Sequence, residues 1–94
     1  MENKEIAIAR LYEVLAGISD AKDCALFLED LCTHKEIEQM AQRVKAAELL
    51  LDGKTYAQVI AETDISSATL SRVSRCIRYG DGGYRRVLKK DGNE

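Results

Sequence analysis

The chain has 94 residues, 46 % of them apolar and 32 % charged, with no proline and a formal net charge of −2. That length fits one domain, and a monomer so small buries a modest share of its surface, so a second copy is a natural source of further core. No run of about 18 apolar residues could span a bilayer, and the slight acidity excludes a protein that is basic throughout.

The first predicted helix runs from about Asn3 to Gly17. Ile8, Leu11, Leu15 and Ile18 share one stripe, and Ile6, Ala7 and Val14 widen it, so this helix calls for more than one neighbour. Its Glu2, Glu5 and Glu13 are unlike a signal peptide, and the expected location is cytoplasmic, away from any membrane. Ser19 is the predicted N-cap of a second helix, Asp20 to about Cys32, with acids in the first turn where the helix dipole favours them. Cys24, Ala25, Leu28, Leu31 and Cys32 form its expected inner face, with Cys24 and Cys32 as buried free thiols. Together with Cys76 they make an odd set without CxxC spacing. His34, the one histidine, completes no zinc pattern with them, so neither a metal nor a cofactor is expected.

Thr33 and Glu36 are spaced as a capping box, opening a long third helix to about Asp52. Ile37, Met40, Ala41, Val44, Ala47 and Leu51 mark its expected core side, and Gly53 follows as a natural C′ residue. Thr55 and Gln58 repeat the capping-box spacing at the start of a short helix whose apolar side carries Val59 and Ile60. Asp64 stands where the chain must turn, and Asp tolerates the left-handed conformation better than most non-glycine residues. Ser66 can cap the next helix, in which Leu70, Val73 and Ile77 fall three and four apart and face inward. Ser67, Ala68, Ser71, Arg72, Arg75 and Arg78 lie off that stripe. A helix with small residues at its exposed start and arginines further along suits a DNA major groove. Gly80-Asp81-Gly82-Gly83 then breaks the chain, Tyr84 to Lys90 form a short last helix, and Asp91 to Glu94 fray. The whole reads as a single all-α domain over residues 1–94.

Charge is distributed unevenly. Residues 1–42 hold four basic and nine acidic residues, whereas residues 43–94 hold ten basic and seven acidic. Between Ile65 and Lys90 the seven basic residues face one acid, Asp81. Because charges are screened beyond about 8 Å at physiological salt, one basic face can meet DNA phosphates while an acidic half lies far away. Nothing in the chain builds an active site. There is no glycine-rich phosphate loop, no Ser/His/Asp set that helical spacing would assemble, and Glu36 and Glu38 point to different sides of their helix.

The segment QRVKAAELLLDGKTYAQVIAETDISSATLSR resembles the Trp repressor superfamily, in particular its YerC/YecD (TrpR-related) branch. The likeness runs from about Leu11 to Ile77. It is sharpest at Gln42–Val44, Leu49–Thr55 and Ser66–Arg72, and for that branch extends through RYGDGGYRRVL at Arg78–Leu88. The resemblance implies an intertwined homodimer of about six helices per chain with interlocked N-terminal helices and a helix-turn-helix that reads a palindromic operator. The two recognition helices of such a dimer sit about 34 Å apart, one turn of DNA. It also implies an effector pocket. Trp repressor stacks an indole between two arginines, which fall here on Arg43 and Arg72, and a threonine of that site falls on Thr33. Where Trp repressor has glycine after the second arginine this chain has Val73, and where it has a serine this chain has Cys76, a weaker hydrogen-bonding group. A bulkier side chain and a lost hydroxyl argue against L-tryptophan as the ligand.

The reading is a sequence-specific DNA-binding transcriptional regulator acting as a homodimer on double-stranded DNA, in the repressor sense, and not an enzyme. Ser66, Ser67, Ala68, Thr69 and Ser71 form the part expected to approach base edges. Arg72, Arg75 and Arg78 are expected at phosphates or guanines, with Arg85 and Arg86 as more distant phosphate contacts. The alternative is a dimeric helical protein-interaction module without DNA recognition, suggested by the wide apolar faces and the acidic N-terminal half.

Overall fold

The computed structural model describes residues 3–88. Six helices follow one another: α1 (Lys4–Ala16), α2 (Ala21–Leu31), α3 (His34–Leu51), α4 (Tyr56–Thr63), α5 (Ser67–Tyr79) and α6 (Gly83–Leu88). Among the described residues there is no strand, and no helix is long and apolar enough to cross a membrane. The expected helical state of Lys89 and Lys90, and the fraying of Asp91–Glu94, lie outside the described residues. The chain divides into two compact units, Met1–Ile37 and Glu38–Glu94.

In the N-terminal unit each helix begins where side-chain chemistry can satisfy its first amide groups. Asn3 caps α1, accepting from the Glu5 amide at 2.7 Å. The cap of α2 is Asp20, whose Oδ1 accepts from the Lys22 amide at 3.4 Å. Ser19 was the expected cap; the two adjacent residues are equally suited to the role, and the carboxylate takes it. Thr33 and Glu36 form the expected reciprocal pair at the head of α3, with the Thr33 amide donating to Glu36 Oε1 at 2.8 Å and the Glu36 amide to Thr33 Oγ1 at 3.1 Å.

The apolar faces of this unit are only partly covered. No residue of α1 or α2 is buried, and Ile6, Ile8, Leu11, Tyr12, Leu15, Leu26 and Leu31 are all exposed. The expected inner face of α2 is therefore only half realised: Cys24 and Leu28 are half-buried, whereas Ala25 and Leu31 are exposed. Cys32 stands beyond the helix as its C-cap. Cys24 and Cys32 are free thiols that are half-buried rather than buried.

The C-terminal unit carries the core. Ala46, Ala47, Leu49, Val59, Ile65, Leu70 and Val73 are buried; Ala46, Leu49, Val59, Ile65 and Leu70 form one cluster, with Leu50 and Ile60 packed against it. Burying a side chain such as Val59, Ile65, Leu70 or Val73 contributes about 1.5–3 kcal/mol each. The core side of α3 is rotated from the expected one. Ala47 is buried as expected, but its companions are Ala46 and Leu49; Met40 and Leu51 are half-buried, and Ala41 and Val44 are exposed. Ala46 and Leu49 share one cluster with Val59, Ile65 and Leu70, against which Leu50 also packs, whereas Val44 is exposed. Ser74 is also buried, and Ile77 is only half-buried.

Two tight connections set the order of helices in this unit. Gly53 (φ 91°) ends α3 in a Schellman arrangement, with the Gly53 amide donating to Leu50 O and the Lys54 amide to Leu49 O, both at 3.0 Å. Past α5, Gly80 lies so close to α5 that a Cβ there would come within 2.5 Å of Cys76 O. Gly82 has φ 89°. These two glycines fold the chain back so that α6 packs against α5; α6 starts at Gly83, one residue ahead of expectation.

Candidate nucleic-acid interface

The segment Thr55–Arg78 forms a helix-turn-helix whose joints are hydrogen-bonded residue by residue. Thr55 and Gln58 make the capping box of α4: the Gln58 amide donates to Thr55 Oγ1 at 3.2 Å and the Thr55 amide to Gln58 Oε1 at 2.8 Å. Asp64 ends α4 in the left-handed region, φ 60° and ψ 18°, its amide bonded to Ile60 O. Ile65 is buried and pins the turn to the core. Ser66 caps α5, accepting from the Thr69 amide at 3.1 Å.

α5 then divides into sectors. With 100° per residue, Ser67, Arg78, Ser71, Arg75, Ala68 and Arg72 fall within an arc of about 140°, and all six are exposed. Val73 and Leu70 lie away from that arc and are buried; Ser74, about 20° around the axis from Ser67, is buried too. Arg78 lies about 16 Å along the axis from Ser67 at 1.5 Å per residue. A groove about 12 Å wide can therefore take the small residues at the helix start while the arginines reach its phosphate walls. Among the described residues, no carboxylate pairs with Arg72, Arg75 or Arg78, and all three are exposed.

Ser66 and Thr69 differ from the other expected base-reading residues. The Ser66 hydroxyl is exposed but engaged, donating to Thr69 Oγ1 at 2.9 Å while it accepts from the Thr69 amide. Thr69 is half-buried and turns toward two clefts. Of the more distant basic residues, Arg85 is directed back to α5, its Nε donating to Ile77 O at 3.4 Å, and Arg86 is exposed.

Four of the five residues expected around an effector come together. Arg43, Arg72, Val73 and Cys76 line a cleft of about 410 Å³ with Thr69 and Tyr84. The fifth, Thr33, belongs to the N-terminal unit, where its hydroxyl caps α3. Val73 is 1 % exposed, so its side chain is part of the core as well as of the cleft wall. Tyr84 is the member that sequence reasoning missed; the available signal was the glycine-rich break at 80–83, which returns α6 to α5. A second, more polar cleft of about 460 Å³ is lined by Gln39, Gln42, Arg43, Asp64, Ser66 and Thr69. Among the described residues, no group of three His, Cys, Asp or Glu side chains is placed to hold a metal ion.

A family model described as Trp repressor protein matches residues 7–92, nearly the whole chain. The chain belongs to the Trp repressor protein family. YerC of Bacillus subtilis (strain 168), an uncharacterized protein, is 40 % identical over 81 residues, covering 86 % of this chain and 78 % of YerC. Two crystal structures share the fold. A Trp-repressor-type protein from Staphylococcus aureus superposes with a TM-score of 0.85 at 32 % identity, covering 95 % of this chain and 92 % of that one. A TrpR-like protein from Eubacterium eligens ATCC 27750 gives 0.84 at 34 % identity over 93 % of both chains. Family membership and the six-helix architecture thus agree with the resemblance read from Gln42–Arg72, and this is a family of helix-turn-helix DNA-binding regulators.

Proposed function

We propose that this protein is a homodimeric, sequence-specific DNA-binding transcriptional regulator of the cytoplasm, acting as a repressor, and that L-tryptophan is not its effector. The observation that carries the DNA reading is the outer sector of α5: Ser67, Ala68 and Ser71 exposed together with three arginines that pair with no acid among the described residues. In this reading Ser67, Ala68 and Ser71 approach base edges, and Arg72, Arg75 and Arg78 contact phosphates or guanines. Ser66 and Thr69, whose hydroxyls bond each other and whose cap uses the Thr69 amide, hold the start of the helix. Arg86 is a further phosphate contact.

Two observations support the homodimer. The N-terminal unit buries no residue of α1 or α2 while exposing seven large apolar side chains, surface that a second copy can cover. Membership of the family points the same way. Against tryptophan stand two residues of the cleft lining: Val73, bulkier than the glycine that the resemblance places there, and Cys76, a weaker hydrogen-bonding group than the serine.

Fluorescence anisotropy with labelled random and genomic DNA tests the reading. Salt-dependent binding at low micromolar protein is expected, with log affinity falling linearly in log salt. Absence of salt-dependent binding to any DNA would instead support a dimeric protein-interaction module, the reading favoured by the exposed apolar faces of α1 and α2.

A further inference from the structure

The turn of the helix-turn-helix is tied to α3 by one side chain. Gln42, in the middle of α3, donates from Nε2 to the carbonyl of Thr63 at 2.9 Å. Thr63 is the last residue of α4, immediately before the left-handed Asp64. Its hydroxyl donates to Val59 O at 2.8 Å and accepts from the Ile65 amide at 3.2 Å. One residue therefore joins the end of α4, the start of the segment leading to α5, and, through Gln42, the long helix behind them. Gln42 and Thr63 are both half-buried, so water competes weakly for these bonds.

We infer that Gln42 is a positioning residue for DNA reading: its bond to Thr63 fixes the angle at which α5 is presented relative to α3. The inference rests on the DNA-binding reading above. Its physical basis is the division of labour within the unit. Apolar packing of Ile65 and Leu70 holds α5 against the core, but apolar contact is non-directional and tolerates a small rotation. A hydrogen bond from an amide to a carbonyl is directional and does not. Base contacts lose their geometry with small rotations, whereas attraction to phosphates is long-ranged and does not depend on base sequence. Loss of the Gln42 bond should therefore reduce sequence discrimination more than overall attraction to DNA.

The test compares wild type with Gln42→Met, which keeps length and volume but removes the donor. Binding of each is measured to the best fragment selected by the wild type and to random DNA of equal length, at one salt concentration, with thermal melting recorded alongside. The expected result is a loss of roughly five-fold in affinity for the selected fragment, the size of one net hydrogen bond, with random-DNA affinity unchanged. Equal losses on both DNAs, or no loss on either, overturn the inference, since a merely structural role would act on both through the folded fraction. If Gln42→Met melts below the assay temperature, the comparison is repeated at a temperature below its melting midpoint, with the same expectations. A wild type that prefers no fragment overturns the DNA-binding reading and this inference with it. A wild-type preference preserved in the variant overturns this inference alone.

Discussion

Ser66 and Thr69 are joined twice: the Thr69 amide donates to Ser66 Oγ at 3.1 Å, and Ser66 Oγ donates to Thr69 Oγ1 at 2.9 Å. The first bond starts α5 and the second fixes the rotamers of both side chains at the point where the helix would enter a groove. Ser66→Ala removes both and should cost about 1 kcal/mol of stability, read as a lower denaturation midpoint at unchanged slope. Ser66→Asp keeps a capping oxygen, so stability should stay close to wild type. It also places a negative charge at the helix start, so DNA affinity should fall. A variant that loses stability and affinity in proportion would break this separation.

Asp64 holds φ 60° between α4 and α5. Asp64→Val introduces a β-branched residue into the left-handed region and should lower stability by about 1–2 kcal/mol. Asp64→Gly should stay within about 0.5 kcal/mol, since glycine adopts that conformation freely. Urea denaturation of the two variants compares them directly, and equal midpoints would contradict a conformational role for this residue.

Capping chemistry is where the sequence was most legible. Thr33 with Glu36, Thr55 with Gln58, Asp64, Ser66 and Gly53 all act as their spacing indicates, because each bond closes within a few residues and depends little on the rest of the fold. Faces were less legible. Val44 falls on the expected core stripe and is exposed, while Ala46 and Leu49 are buried; residues 44, 46, 47 and 49 spread round the helix, so which side is covered depends on the neighbouring helices. Buried Ser74 sent no apolar signal at all. The bond between Gln42 and Thr63 spans 21 residues, and nothing local in either segment announces it. Tyr84 entered the cleft beside Arg43 and Arg72 only through the fold-back at Gly80 and Gly82.

Arg75 is exposed on the outer sector of α5 and has no acidic partner among the described residues. Arg75→Ala should weaken DNA binding and, if its contact is a phosphate, reduce the salt slope by about one. Arg10 is the natural control: it pairs with Glu13 at 3.3 Å on α1, and Arg10→Ala should leave DNA affinity and slope unchanged. Unchanged affinity and slope in Arg75→Ala would remove that residue from the interface.

Val73 is buried in the core while forming part of the cleft wall. Val73→Ala should cost about 2 kcal/mol from lost burial and the cavity left behind. Calorimetric titration of the wild type with L-tryptophan should show no binding heat, and DNA affinity should not respond to it. Saturable binding of tryptophan would show that Val73 and Cys76 do not close the site to an indole.

The central claim is that two copies of α5, held by a homodimer, read one symmetric DNA site. Selection of genomic fragments by the purified full-length protein, followed by sequencing, measures this most directly. The account predicts enrichment of a two-fold symmetric sequence whose half-sites lie about 34 Å apart, one helical turn or a multiple of it. Recovery of no enriched sequence, or of a single half-site with no symmetric partner, would contradict it.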